Sequence, residues 1–306
     1  MKNVRLVTDG LGFPEGPVAL SDGSVVVVEI KAGNLTRVAP DGSKDVVARC
    51  GGGPNGAAVG PDGKFYICNN GGFEWSEVMG MNIPGHQPKD YIGGRIQRVD
   101  ITTGEVEDLY TECDGNPLRG PNDIVFDTTG GFWFTDHGKT RPRDKDQGGI
   151  YYAKADGSSI TEVIHPADAP NGIGLSPAGD KLYYAETHTG RVYQRDVSGP
   201  GQLAEGNPLD PSVLLVGLPG LQLLDSLGVD GEGNVCVATL GPTPGINVIS
   251  PAGEARLEAV GPEYWDVLTT NICWGGDDMT TAYITLSGTG RLVAVDWPTA
   301  GLRLAY

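Results

Sequence analysis

An all-β fold, a six-bladed β-propeller of four-stranded antiparallel blades, is predicted by three observations. Glycine and proline together supply 48 and 22 of the 306 residues, which leaves little room for long helices. One sequence block recurs six times along the chain. A hydrophobic share of 39% still provides the apolar surface for a packed core, which separates this glycine-rich chain from disordered ones.

The first block, FPEGPVALSDGSVVVVE from Phe13, sets the pattern: a small residue or proline, a polar residue, a few small apolar residues, a turn, then a β-rich run. It returns as GPNGAAVGPDGKFYICN from Gly53, GPNDIVFDTTGGFWFTD from Gly120, APNGIGLSPAGDKLYYAET from Ala169, LLDSLGVDGEGNVCVAT from Leu223 and TNICWGGDDMTTAYITL from Thr270. At the centre of the copies stand Asp22-Gly23, Asp62-Gly63, Gly130-Gly131, Gly179-Asp180, Glu232-Gly233 and Asp277-Asp278. Such pairs between two apolar runs mark hairpins, because glycine and Asp/Asn tolerate positive φ. Further strand-like runs follow the blocks, at Gly94 to Asp100, from Gly149, at Gly190 to Asp196 and from Ile246; these are the outer strands. The polar anchors Glu15, Asn55, Asn122, Asn171, Asp225 and Asn271 are spaced 40, 67, 49, 54 and 46 residues apart. A four-stranded unit needs roughly 20–24 strand residues plus loops, so the spacing fits one blade per repeat, and six blades use residues 1–306 as one domain. Either Val4 to Val7 or Leu302 to Ala305 could supply the closing strand. The long interval holds Asn69 to Gly93, which lacks strand alternation and is expected to be an extended loop: either a surface cover over neighbouring blades or a lid on the pocket mouth.

A formal charge of −17 repels phosphate backbones and anionic bilayers, so nucleic-acid and membrane partners are disfavoured. No apolar core follows Lys2, and no stretch approaches the length of a membrane span; a cytoplasmic protein is expected. The five cysteines are scattered and without a C-x-x-C pair, which predicts reduced, mostly buried thiols. No feature fixes the oligomeric state.

In a propeller the first strand of each blade lines the axis, so the six anchors form a ring. All six are carboxylates or carboxamides. These are oxygen donors suited to one hard divalent cation, with calcium the first choice and magnesium, manganese or zinc behind it. Asn and Asp before glycine are also ordinary turn residues, a reading that weighs on Asn55 and Asn271. Glutamate is a poor turn residue, and Asp225 among leucines would be costly to bury without a partner, so Glu15 and Asp225 carry the expectation. His86, His137, His165 and His188 show no helical zinc spacing. His137 and His188 each sit just past a second strand, as surface imidazoles or as contacts to substrate. No G-x-S-x-G, phosphate-loop or G-x-G-x-x-G pattern is present.

The blocks FPEGPV, GPNDIVFD with FWFTD, PNGIGLSPAGDKLYYAET with TGRVY, and TNICWGG with AYITLSGTGRL resemble the senescence-marker-protein/gluconolactonase (regucalcin-like) family from about Phe13 to Leu292. The resemblance implies a six-bladed propeller, one axial divalent metal and hydrolysis of sugar lactones. It maps metal ligands onto Glu15, Asn171 and Asp225, with Asn122 as ligand or substrate contact. Two departures stand out: Ser226 follows Asp225 where the family has glycine, and Gly120 stands where animal members place an arginine, so a substrate contact does not transfer. The expected function is a metal-dependent lactonase with Asp225 as catalytic base and Asn55, Asn122, His137 and His188 facing the substrate. A phosphotriesterase or other ester hydrolase in the same pocket, and a noncatalytic calcium-binding propeller, are the alternatives.

Overall fold

In the computed structural model, which describes residues 1–205 and 211–306, six antiparallel sheets follow one another around a central axis. Blade 1 comprises Pro14–Ala19, Val25–Glu29, Asn34–Val38 and Lys44–Arg49, and blade 2 comprises Pro54–Val59, Phe65–Asn69, Arg95–Asp100 and Glu105–Tyr110. Blade 3 is built from Pro121–Phe126, Gly131–Asp136, Gly148–Lys154 and Ile160–Ala167. In blade 4, Pro170–Leu175 and Lys181–Glu186 precede Arg191–Gly199, which pairs with both Gln202–Leu203 and Leu214–Gly217. Blade 5 contains Leu223–Val229, Val235–Leu240, Gly245–Ile249 and Ala255–Glu258. Blade 6 is closed by the N-terminal segment: Lys2–Thr8 pairs with Arg291–Asp296, outside Thr281–Leu286 and Thr269–Gly275. Of the two candidate closing segments, the N-terminal one therefore forms the strand, and residues 302–305 run on without regular structure.

The second strands are buried along their length, as in Val25–Glu29 and Gly131–Asp136. The cause is two-sided covering: each blade is sandwiched between two others, so these strands read as continuous apolar runs rather than alternating ones. Between blades 2 and 3 the core includes Tyr66, Phe126, Phe132, Phe134 and Tyr151. Between blades 3 and 4 it includes Trp133, Tyr152, Ile173 and Leu182. Four of the five free cysteines are buried, and Cys273 is partly buried.

Every inner strand breaks register at or beside its anchor: between Glu15 and Val18, Pro54 and Gly56, Pro121 and Ile124, Pro170 and Ile173, Leu224 and Leu227, and Thr269 and Asn271. Such bulges bend a strand and re-aim a side chain. Here they occur at one level of the axis in all six blades. The residue after the anchor is glycine in blades 1, 2 and 4. A Cβ at Gly56 would lie 2.3 Å from the Asn122 carbonyl oxygen, and one at Gly172 would lie 2.5 Å from the Leu227 nitrogen. Gly172→Ala is therefore expected to push blades 4 and 5 apart at this level and destabilise the protein by about 1–3 kcal/mol, the usual cost of overpacking, read as a lowered midpoint in denaturant unfolding.

The polar residues ending the second strands tie down the backbone that enters the inner strands. The Glu29 carboxylate accepts from the Gly12 N–H, Asn69 Oδ1 from the Gly53 N–H at 2.9 Å, Asp136 from the Arg119 and Gly120 N–H groups at 2.7 Å each, and Glu186 from the Asp168 N–H at 3.0 Å. These bonds fix where the anchors of blades 1 to 4 begin. The segment from Asn69 to Gly93 is more ordered than its sequence predicts. Trp75–Val78 and Met81–Pro84 form a hairpin around Met79 and Gly80, whose φ values are 53° and 77°. Two positive φ values at the turn give the backbone twist a two-residue hairpin needs, a signal masked by methionine at the first position.

Candidate functional site

Glu15, 2% exposed, accepts hydrogen bonds at Oε2 from its neighbour Gly16 N–H (2.6 Å) and from Asn271 Nδ2 (2.7 Å). Asn271 spends its other end on the Ile272 N–H (2.7 Å), so it orients Glu15. Behind it, Thr270 Oγ1 lies 2.8 Å from Thr285 Oγ1, and the Ser287 hydroxyl donates to the Pro14 carbonyl at 2.5 Å. Asn171 donates from Nδ2 to Thr187 Oγ1 at 3.1 Å and also interacts with the carboxylate of Asp225. Asp225 in turn is electrostatically coupled to Glu15. The bulges thus gather Glu15, Asn171, Asp225 and Asn271, distant in sequence, into one cluster. Asn122 and Asn55 are buried at the corresponding positions of blades 3 and 2.

Sequence reasoning passed over Asp123. It is 7% exposed, its Oδ1 accepts from the Ile124 N–H at 2.9 Å and its Oδ2 from the Ile173 N–H of the neighbouring inner strand at 3.3 Å. The signal was a carboxylate directly after an anchor, where blades 1, 2, 4 and 5 carry glycine or serine. Asp123 braces blade 3 against blade 4 and adds a third carboxyl group to the cluster.

Burial raises all three acids, because it disfavours the charged form, and their mutual repulsion raises them further. Glu15 is pushed up to about 7 by burial, opposed by its bonds from Asn271 and Gly16. Asp123 rises to about 8 through burial and then the charge of Glu15. Asp225 lies well above the carboxylate range, through burial first and Glu15 second. Three buried side-chain oxygens in the ring have no hydrogen-bond partner: Glu15 Oε1, Asn122 Oδ1 and Asn171 Oδ1. Buried carboxylates that repel one another beside unpaired amide oxygens are the donor set of a hard cation. Among the described residues no three His, Cys, Asp or Glu side chains group as a metal site by themselves; a cation here would draw on amide as well as carboxylate oxygen.

His137 and His188 meet at the same end of the molecule, with ring centroids 6.0 Å apart and planes at 79°. Burial holds His137 down to about 4, helped by the His188 charge, and burial also lowers His188. Both rings are therefore neutral at pH 7 and available as hydrogen-bonding groups. The hairpin of residues 75–84 lies over this end of the axis. Trp75 packs on Phe13 with centroids 5.0 Å apart, Asn82 N–H donates to Gly288 of blade 6, and Gln87 N–H donates to Thr140 of blade 3, at 2.8 and 2.9 Å. Together with Gln87 it reaches blades 6, 1 and 3 across this end.

Beyond the ring the axis continues into a cavity of about 840 Å³ lined by inner-strand apolar side chains such as Val18, Ile124, Leu227 and Ile272, with Asp123 and Asn271 among its walls. Leu302, Leu304 and Tyr306 line its far end, and Tyr306 packs edge-on against Phe126 at 5.9 Å. Glu15, Asn122, Asn171 and the two histidines do not line this cavity.

Residues 13–288 match the model of the SMP-30/Gluconolactonase/LRE-like region. The gluconolactonase of Zymomonas mobilis is 24% identical over 277 residues, 82% of this chain and 70% of that protein. Lactonase drp35 of Staphylococcus haemolyticus is 28% identical over 242 residues, 78% of this chain and 66% of that protein. Among solved structures, the calcium-binding protein regucalcin from Agrobacterium tumefaciens superposes with a TM-score of 0.73 at 17% identity, covering 96% of this chain and 95% of that one, a likeness of fold. Among the described residues no helix is long and apolar enough to cross a membrane. With the match running from Phe13 through all six anchors, the chain belongs to the SMP-30/Gluconolactonase/LRE-like family.

Proposed function

We propose that this protein is a lactonase that opens the ester of a sugar-type lactone at the ring of anchors, with Glu15, Asn122, Asn171 and Asp225 holding one divalent cation, calcium in the first place. The observation that carries this reading is the set of unpartnered buried oxygens on Glu15, Asn122 and Asn171 beside mutually repelling carboxylates. The activities named for the relatives from Zymomonas mobilis and Staphylococcus haemolyticus support the reaction class, and the calcium-binding neighbour supports the choice of ion. When bound, such a cation supplies Lewis acidity toward the ester carbonyl oxygen and stabilises the developing negative charge.

The side chains of the chain do the rest. Asp225, held beside Asn171 and facing the charge of Glu15, takes the proton of the attacking water as general base. Asn271 and the Gly16 N–H hold the Glu15 carboxylate in place. Neutral His137 and His188 offer hydrogen bonds to the hydroxyls of a sugar lactone, with Asn122 and Asn55 as further polar contacts. The lid limits access by water on one side.

A pH-indicator assay on a panel of aldonolactones, simple lactones and an organophosphate triester, run with metal analysis of the purified protein, tests the proposal. The expected result is lactone opening that disappears on chelation and returns with calcium. Preferential triester hydrolysis would reassign the substrate. Stoichiometric calcium with no turnover on any ester would make the protein a binding propeller.

A further inference from the structure

Lys139 is a lysine that the site has not used, and it is 2% exposed. Its chain position, three residues past the second strand of blade 3, brings it under the lid. Nζ donates to the Gly72 carbonyl oxygen at 2.5 Å and lies over the Phe73 ring at 4.0 Å from the centroid, with the Tyr91 ring at 5.7 Å. Gly72, Phe73 and Tyr91 all belong to the lid segment. A buried ammonium has few ways to replace its lost hydration, and a carbonyl oxygen together with an aromatic face is one of them.

The surroundings converge on the same contact. Gly71 sits so close to Tyr91 that a Cβ there would lie 2.5 Å from the ring. The Tyr91 hydroxyl donates to the Arg119 carbonyl at 2.5 Å. Lys139 N–H donates to Asp146 Oδ2 at 3.1 Å, and Asp146 is held by Arg141, 2.8 Å from Arg141 Nη2. Asp136 is occupied by the N–H groups of Arg119, Gly120 and Gly138. The charges that face Lys139 are thus Asp136 and Asp146 from its own blade, neither within salt-bridge distance of Nζ among the described pairs, and the lid presents only aromatic rings and a carbonyl. His137, two residues before it, is neutral at pH 7. The ammonium binds the lid rather than a carboxylate.

We propose that Lys139 is the latch that fastens the 71–93 segment over the site, a positioning residue whose charge sets how firmly that segment closes over bound substrate. Burial lowers the Lys139 amine to about 7 against the pull of Asp136 and Asp146. Because the charged form makes the ring contacts, the latch is fastened below that pH and loosens above it. The substrate arm of the test rests on the lactonase reading; the arm on the lid itself does not.

The experiment compares wild type, Lys139→Met and Lys139→Arg by hydrogen–deuterium exchange at pH 6 and pH 9, corrected for the intrinsic pH dependence of amide exchange, followed by lactone kinetics on an aldonolactone. Expected for Lys139→Met is at least a tenfold rise in exchange at residues 71–93 at pH 6, with the blade strands unchanged. KM should rise severalfold while kcat stays within about twofold. Wild type should show the same loosening between pH 6 and pH 9, and Lys139→Arg, which keeps its charge, should not. Unchanged exchange in residues 71–93 for Lys139→Met, or a rise spread equally over all blades, overturns the latch. Should Lys139→Met fail to fold, the pH comparison of wild type with Lys139→Arg decides alone: identical corrected exchange at the two pH values in wild type overturns the proposal. Local loosening in a protein that opens no lactone would leave the latch standing and sink the lactonase reading.

Discussion

Asp225→Ala is expected to abolish lactone opening, with kcat/KM falling by about three orders of magnitude or more, as when a group acting in the transition state is removed. Asp225 serves the site twice in this reading, as a cation ligand and as the acceptor of the water proton. The companion substitution Glu15→Gln separates the two. Glutamine retains the length and one oxygen but loses the charge, so cation affinity should fall while Asp225 remains available; excess calcium should then recover much of the rate. A pH-indicator assay with and without added calcium, combined with metal analysis, reads both effects. Full wild-type turnover and metal occupancy in both variants would place the chemistry elsewhere.

Chelation should destabilise the protein, and the loss should grow as pH rises. In the metal-free protein, burial holds Glu15 at about 7 against its ordinary 4.5, and Asp123 at about 8 against 3.8. Both folded pKa values exceed the unfolded ones, so the folded state binds more protons between those limits, and unfolding becomes more favourable as pH climbs from about 4 through 8. With a cation bound, the carboxylates are ionised and stabilised, and the trend should flatten or reverse. Thermal unfolding at pH 5 and pH 8, with calcium and with a chelator, measures this. Equal melting temperatures in all four conditions would show that the ring holds no cation.

The lid shows where local pattern and tertiary structure part. Residues 75–84 carry no alternation that predicts strands, and Met79-Gly80 is a weak turn signal, yet the hairpin forms because Trp75 finds Phe13 and the Asn82 N–H finds Gly288 in another blade. The role of Lys139 was equally hidden, since its partners Phe73 and Tyr91 lie 66 and 48 residues earlier in the sequence. Asp123 was missed for a related reason: a carboxylate inside the run PNDIVF reads as one of a bulge pair, and only the bond to the Ile173 N–H of the next blade shows what it braces.

By itself the sequence determined the number of blades, the order of strands within each, and the six anchor positions, because turn pairs, apolar runs and a spacing near 50 residues are properties of contiguous chain. It left the closing strand open between two termini, and it singled out Glu15 and Asp225 among the anchors without showing what each anchor touches. Tertiary structure decided both. The N-terminal segment pairs with Arg291–Asp296. Of the anchors, Asn271 spends both ends of its side chain inside the protein, whereas Glu15, Asn122 and Asn171 each keep a buried oxygen unpaired. The physical reason is that a hydrogen bond's presence or absence at the axis depends on side chains from different blades, which only closure of the ring brings within reach.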